Sequence, residues 1–73
     1  MKIKKGTKLI VNDVRKGVYH AVAVNDFDTC TDEFYPVIAA QTVYGLVNEW
    51  EAGELVPCRK SLAKIEIFEG EKR

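Results

Sequence analysis

Three side chains in this chain have the chemistry of a nucleophile or a soft-metal ligand: Cys30, Cys58 and His20. A structural zinc site wants four such donors, usually with close pairs along the chain. No Cys-x-x-Cys or His-x₃-His pair occurs. A Cys–His catalytic pair needs the imidazole within hydrogen-bond reach of the thiol. No nucleophile motif surrounds Cys30. His20 alternates with Val18 and Val22 and reads as a rim histidine on a strand. Cys58 reads as a small, half-buried strand residue and Cys30 as a loop thiol. The basic start, Met1 to Gly6, is not followed by an apolar h-region, because Lys8, Asn12 and Asp13 interrupt it. A cytosolic protein is therefore expected, with reduced thiols, no metal and no cofactor.

The second chemical group is the carboxylate run Asp26, Asp28, Asp32 and Glu33. Asp26-Phe27-Asp28 follows the apolar stretch Ala21 to Val24. In that respect it resembles the nucleophile strand of haloacid-dehalogenase-type phosphatases, where Asp-x-Asp-x-Thr/Val ends a buried strand. Here the fifth position is Cys30, and no helix for their large α/β domain is visible. A calcium-binding EF-hand loop needs oxygen ligands at positions 1, 3 and 5 and Gly at 6. Counting from Asp26, those last two positions hold Cys30 and Thr31. The run reads as a solvated acidic loop. The five glycines are scattered, so no phosphate-cradling loop is present. A non-enzymatic protein without a small-molecule substrate is expected.

The charge distribution carries more information. No Lys or Arg lies between Gly17 and Cys58, and that span has a formal charge of −7 from Asp26, Asp28, Asp32, Glu33, Glu49, Glu51 and Glu54. The ends hold all the bases and sum to +7, so the net charge of zero hides two opposed parts. Such asymmetry can mark a charged binding surface.

The elements that must position these groups are strands. At 73 residues, 47% apolar and 30% charged, the chain is expected to be one small globular domain. No apolar run approaches the ~20 residues of a membrane helix. Apolar residues alternate or run in short blocks, and helical spacing is nearly absent. Strands are expected over Thr7 to Val14, with Leu9 and Val11 on one face, and over Val18 to Asn25, with Tyr19, Ala21 and Ala23 on one face. Arg15-Lys16-Gly17 suits a hairpin loop in which Gly supplies a left-handed position. Asp26 to Tyr35 reads as a loop ended by Pro36, and Val37 to Ala40 as a short extended piece. Thr42 to Trp50 and Glu54 to Arg59 read as a hairpin joined by Glu51-Ala52-Gly53. Pro57 suggests an edge or a bulge. Lys60-Ser61-Leu62 has room only for a turn or one 3₁₀ turn. Ala63 to Phe68 is the last strand, and Gly70 to Arg73 a frayed tail. In the Thr42–Trp50 strand either Tyr44, Leu46 and Trp50 or Val43 and Val47 face the core, since a one-residue shift exchanges the faces.

Five or six short strands with Gly turns favour a small bent barrel. The pattern over Val43 to Phe68 resembles an SH3-like barrel: a tight hairpin, a 3₁₀ turn, then a short closing strand. In size and layout the chain is similar to SH3-like proteins of Gram-positive bacteria and their phages. That resemblance implies an all-β, SH3-like barrel over residues 1–73 and a possible phage origin. Eukaryotic SH3 domains bind proline-rich peptides with an acidic loop and flanking aromatics. This chain lacks their Ala-Leu-Tyr-Asp-Tyr run and paired Trp.

Two functions fit these residues best, with a purely structural subunit third. In the first, a protein-binding module or inhibitor docks on a basic protein surface through Asp26, Asp28, Asp32, Glu33, Phe34, Tyr35, Trp50, Glu51 and Glu54. Aromatics supply anchoring area and carboxylates supply steering. In the second, Lys4, Lys5, Lys8, Arg15, Lys16, Arg59 and Lys60 track nucleic-acid phosphates, because first and last strands neighbour each other in SH3-like barrels. Against the second, the isoelectric point is about 6.6 and no aromatic is interleaved with these bases.

Overall fold

The computed structural model describes residues 1–68. The expected tail, Gly70 to Arg73, lies outside them. Among the described residues nine strands run in order: β1 (Lys2–Ile3), β2 (Lys8–Asp13), β3 (Gly17–Ala23), β4 (Phe27–Asp28), β5 (Val37–Ala39), β6 (Val43–Tyr44), β7 (Glu49–Trp50), β8 (Leu55–Val56) and β9 (Ala63–Ile67). The fold is all-β. None of the described residues forms a helix long and apolar enough to cross a membrane.

The alternating stretches form the centre. A five-stranded antiparallel sheet has the order β8-β5-β3-β2-β9. Leu9 pairs with Ala21 on one side and Ile67 on the other, and Val11 pairs with Tyr19 and Ile65. These inward residues are buried, as the period of two requires. Full burial of side chains such as Leu9, Val11 and Val37 contributes about 1.5–3 kcal/mol each. Asp13 pairs with Gly17 across the β2–β3 turn, and Gly17 has φ +78°, as that turn requires.

Two short ladders complete the molecule. β1 pairs with β4, and β6 pairs with β7. Ile3 and Phe27 from the first, and Val43 from the second, join the same core, with Trp50 packed against it.

Three expectations are corrected. Thr42 to Trp50 is not one strand. It folds on itself at Leu46-Val47, and the Gly45 N–H donates to the Asn48 carbonyl at 2.8 Å. Gly45 permits this because a Cβ there would lie 2.9 Å from the Trp50 ring. Next, the segment after Gly53 pairs with β5, not with Thr42–Trp50. Gly53, at φ +93°, donates its N–H to the Ala39 carbonyl at 2.7 Å, and Ala39 N–H donates to the Glu54 carbonyl at 2.9 Å. These bonds steer the chain back to β5. Finally, Lys2–Ile3 is a strand, paired with Phe27–Asp28 inside the region read as loop.

The expected 3₁₀ turn is a turn at 60–62, where the Arg59 carbonyl accepts from Leu62 N–H (3.1 Å) and Ala63 N–H (2.9 Å). β8 stops before Pro57 and is an edge, as that proline suggested.

Candidate functional site

The carboxylates of the acidic loop are largely occupied by backbone. Asp26 Oδ1 accepts the Lys5 N–H at 2.7 Å. Asp28 Oδ1 accepts the Cys30 N–H at 2.8 Å and lies 3.3 Å from the Met1 ammonium. Asp32 Oδ2 accepts the Asp28 N–H at 2.8 Å. Short acidic side chains favour such local bonds, and here they shape the loop. The bond from Cys30 N–H, with the Met1 ammonium, holds the Asp28 carboxyl below its ordinary range despite some desolvation. Lys60 Nζ donates to the Cys30 carbonyl at 2.5 Å and ties the loop to the far end of the sequence.

The aromatics divide. Tyr35 is core: its ring stacks on Phe27 with centroids 5.0 Å apart, and its hydroxyl donates to the Thr29 carbonyl at 3.1 Å. It offers no ring to a partner. Phe34 is 62% exposed, and the Arg59 guanidinium lies 5.1 Å from its centroid. Glu33, Glu51 and Glu54 are exposed, and Glu54 Oε1 accepts the Glu51 N–H at 3.0 Å. Trp50 is half-buried beneath the Lys16 ammonium, 5.3 Å from the ring centroid.

The residues of the acidic reading fall into two groups. The β5–β8 ladder extends through Tyr35 N–H to the Cys58 carbonyl at one end and Ala39 N–H to the Glu54 carbonyl at the other, both 2.9 Å. Four residues of strand, roughly 13 Å, therefore separate the acidic loop from the turn after Trp50. The basic set is dispersed as well. Lys4 and Lys5 flank the acidic β4 ladder, Lys8 begins β2, and Arg15 and Lys16 lie beyond its other end. First and last long strands are neighbours, as expected. Lys16, Arg59 and Lys60 are engaged with Trp50, Phe34 and the Cys30 carbonyl.

His20, Cys30 and Cys58 are in separate places. His20 meets Phe68 edge-on at 4.8 Å, Cys30 is exposed, and Cys58 is buried; both thiols are free. Among the described residues no group of three His, Cys, Asp or Glu could hold a metal ion.

Two features escaped the sequence reading. One is buried. Asp13 is only 2% exposed; its Oδ1 accepts the Arg15 and Lys16 N–H groups at 2.7 and 3.2 Å, and its Oδ2 lies 3.3 Å from Lys16 Nζ. The strand's own alternation, Leu9, Val11, Asp13, marks that position as inward. Nearby, burial pushes the Cys58 thiol up to about 11, which outweighs its interaction with Tyr19. Burial also raises the Tyr19 hydroxyl, which has no hydrogen-bond partner of good geometry. A thiol so raised is protonated at neutral pH and is no nucleophile.

The other feature is exposed. At the β6–β7 tip Tyr44, Leu46 and Val47 are 68%, 80% and 89% exposed. Leu46 and Val47 line a groove of about 540 Å³ together with Trp50, Lys16 and Pro57. The pairing Tyr44↔Glu49 places a carboxylate beside the tip.

The chain matches no protein-family model, no curated protein and no solved structure.

Proposed function

We propose that this protein is a non-enzymatic protein-binding module on an SH3-like plan, anchored to its partner by the β6–β7 tip. The neighbouring of β2 and β9, and the turn at 60–62 before β9, support the SH3-like assignment. One observation carries the binding reading: three large apolar side chains, Tyr44, Leu46 and Val47, stand in water together at one tip. Clustered exposed apolar groups rimmed by polar ones mark interaction sites. Glu49, Glu51 and Glu54 are exposed on the same hairpin and the turn after it, and they steer the tip toward a basic partner surface. A module of this size inhibits its partner where the surface it covers is functional. Relative to the sequence reading, which used the acidic loop together with Trp50 to Glu54, the anchor moves to the β6–β7 tip.

The test is capture from a nuclease-treated bacterial lysate with the unaltered chain and with Leu46→Asp plus Val47→Asp. A stoichiometric protein that binds the first and not the second, at equal melting temperature, supports the tip. Equal capture by both removes it.

Nucleic acid is the second reading, and one observation favours it. The Arg59 guanidinium lies over exposed Phe34, with Lys60 following, which gives an aromatic surface beside cations. That reading requires binding that weakens steeply with salt and with Phe34→Ala.

A further inference from the structure

The five-stranded sheet has two edges of different character. β8 is two residues long and is followed by Pro57, a device that blunts an edge. β9 is five residues, Ala63-Lys64-Ile65-Glu66-Ile67, with neither Pro nor Gly. The phase of its ladder follows from two bonds: Val14 N–H to the Leu62 carbonyl at 3.0 Å and Phe68 N–H to the Lys8 carbonyl at 2.9 Å. Even-numbered residues of β9 therefore bond to β2, and the N–H and carbonyl groups of Ile65 and Ile67 turn to the open edge. The Ala63 carbonyl turns the same way, while its N–H is used by the Arg59 carbonyl.

The side chains on this edge are self-complementary. Lys64 and Glu66 are exposed on the outer face, and their neighbours on β2 are the neutral Asn12 and Ile10. Among the described residues neither is in an ion pair. Ile67 is 43% exposed and Ile65 half-buried.

We infer that β9 is a self-association edge, on which a second copy of this chain adds its own β9 antiparallel about a two-fold axis at Ile65. Ile65 then exchanges both backbone bonds with its mate, and each Ile67 N–H reaches an Ala63 carbonyl. Lys64 stands opposite the second copy's Glu66, and Glu66 opposite its Lys64. A two-fold axis at 64 or 66 would instead set like charges against each other, Lys64 on Lys64 or Glu66 on Glu66. The contact is isologous and closes at two copies. It makes one ten-stranded sheet and extends the inner row Tyr19, Val11, Ile65 across the axis. A ladder of this length falls in the small, transient class of interfaces, below about 1,200 Å². The dimer is therefore concentration-dependent.

Sedimentation equilibrium over a series reaching about 1 mM, in the weak-affinity range, tests this on the full chain. Four proteins are compared: the unaltered chain, Lys64→Glu, Glu66→Lys, and the double exchange. A monomer–dimer equilibrium is expected for the unaltered chain. Each single change sets two like-charge pairs across the axis and weakens the dimer about tenfold or more, and the double exchange restores it. Both positions are exposed, so thermal melts of the variants should match. A chain monomeric throughout the series overturns the inference. So does a dimer indifferent to the single changes, or one that the double exchange fails to restore.

Discussion

The backbone N–H of Lys5 donates to the Asp26 carboxylate at 2.7 Å, and this bond joins the most basic stretch of the chain to the most acidic. The same joining recurs where β1 pairs with β4 and where Lys60 reaches the Cys30 carbonyl. Charges separated along the sequence are thereby interleaved in space. Around the acidic loop the two signs are mixed, and the exposed apolar tip becomes the distinctive feature of the surface.

Asp13 holds the β2–β3 turn. Its carboxylate accepts two turn N–H groups and neutralises Lys16, whose side chain is only 10% exposed. Asp13→Ala strands those donors and a largely buried cation, so it should cost about 2–4 kcal/mol. Asp13→Asn keeps the Oδ1 acceptor and should cost less. Urea denaturation of the three proteins checks the order. A loss below about 0.5 kcal/mol for the alanine variant, the range of an ordinary surface change, would show that the turn holds without it.

Gly45 lies against the ring of Trp50. A methyl group at 45 would stand 2.9 Å from the ring and 3.1 Å from the Asn48 carbonyl. Neither the ring nor the turn can yield freely, so Gly45→Ala should cost about 1–3 kcal/mol by overpacking. It should also shift Trp50 fluorescence to the red as the ring is pushed toward water. Unchanged emission with unchanged stability would mean that the hairpin relaxes around the methyl.

These two sites show what was legible in the chain. The alternation in Lys8–Asp13 and Gly17–Ala23 spans enough residues for a period of two to declare itself, and both inner faces are as read. Two-residue strands such as Lys2–Ile3 carry no period, and only their partners define them. The partner of Leu55–Val56 is decided by backbone bonds at Gly53 and Ala39, which apolar patterning does not encode. Phe34 and Tyr35 are adjacent in sequence and opposite in role, because neighbouring residues of an extended chain face opposite sides.

The two thiols should differ sharply in reactivity. Cys30 is exposed and Cys58 is buried, with the Cys58 thiol pushed up to about 11. Iodoacetamide at pH 8 should label Cys30 alone in the folded protein and both in denaturant, as intact mass reports. The same shift affects stability. In the unfolded chain Cys58 ionises near its ordinary value of 9.0, so raising the pH through that value favours the unfolded state. The stabilisation is complete below about pH 9 and is lost progressively as pH climbs toward 11. Its size is on the order of 2 kcal/mol. Cys58→Ala removes this contribution, so its stability should fall less steeply over that window in paired urea titrations. Parallel curves for the two proteins, or rapid native labelling of Cys58, would show that the thiol is open to water.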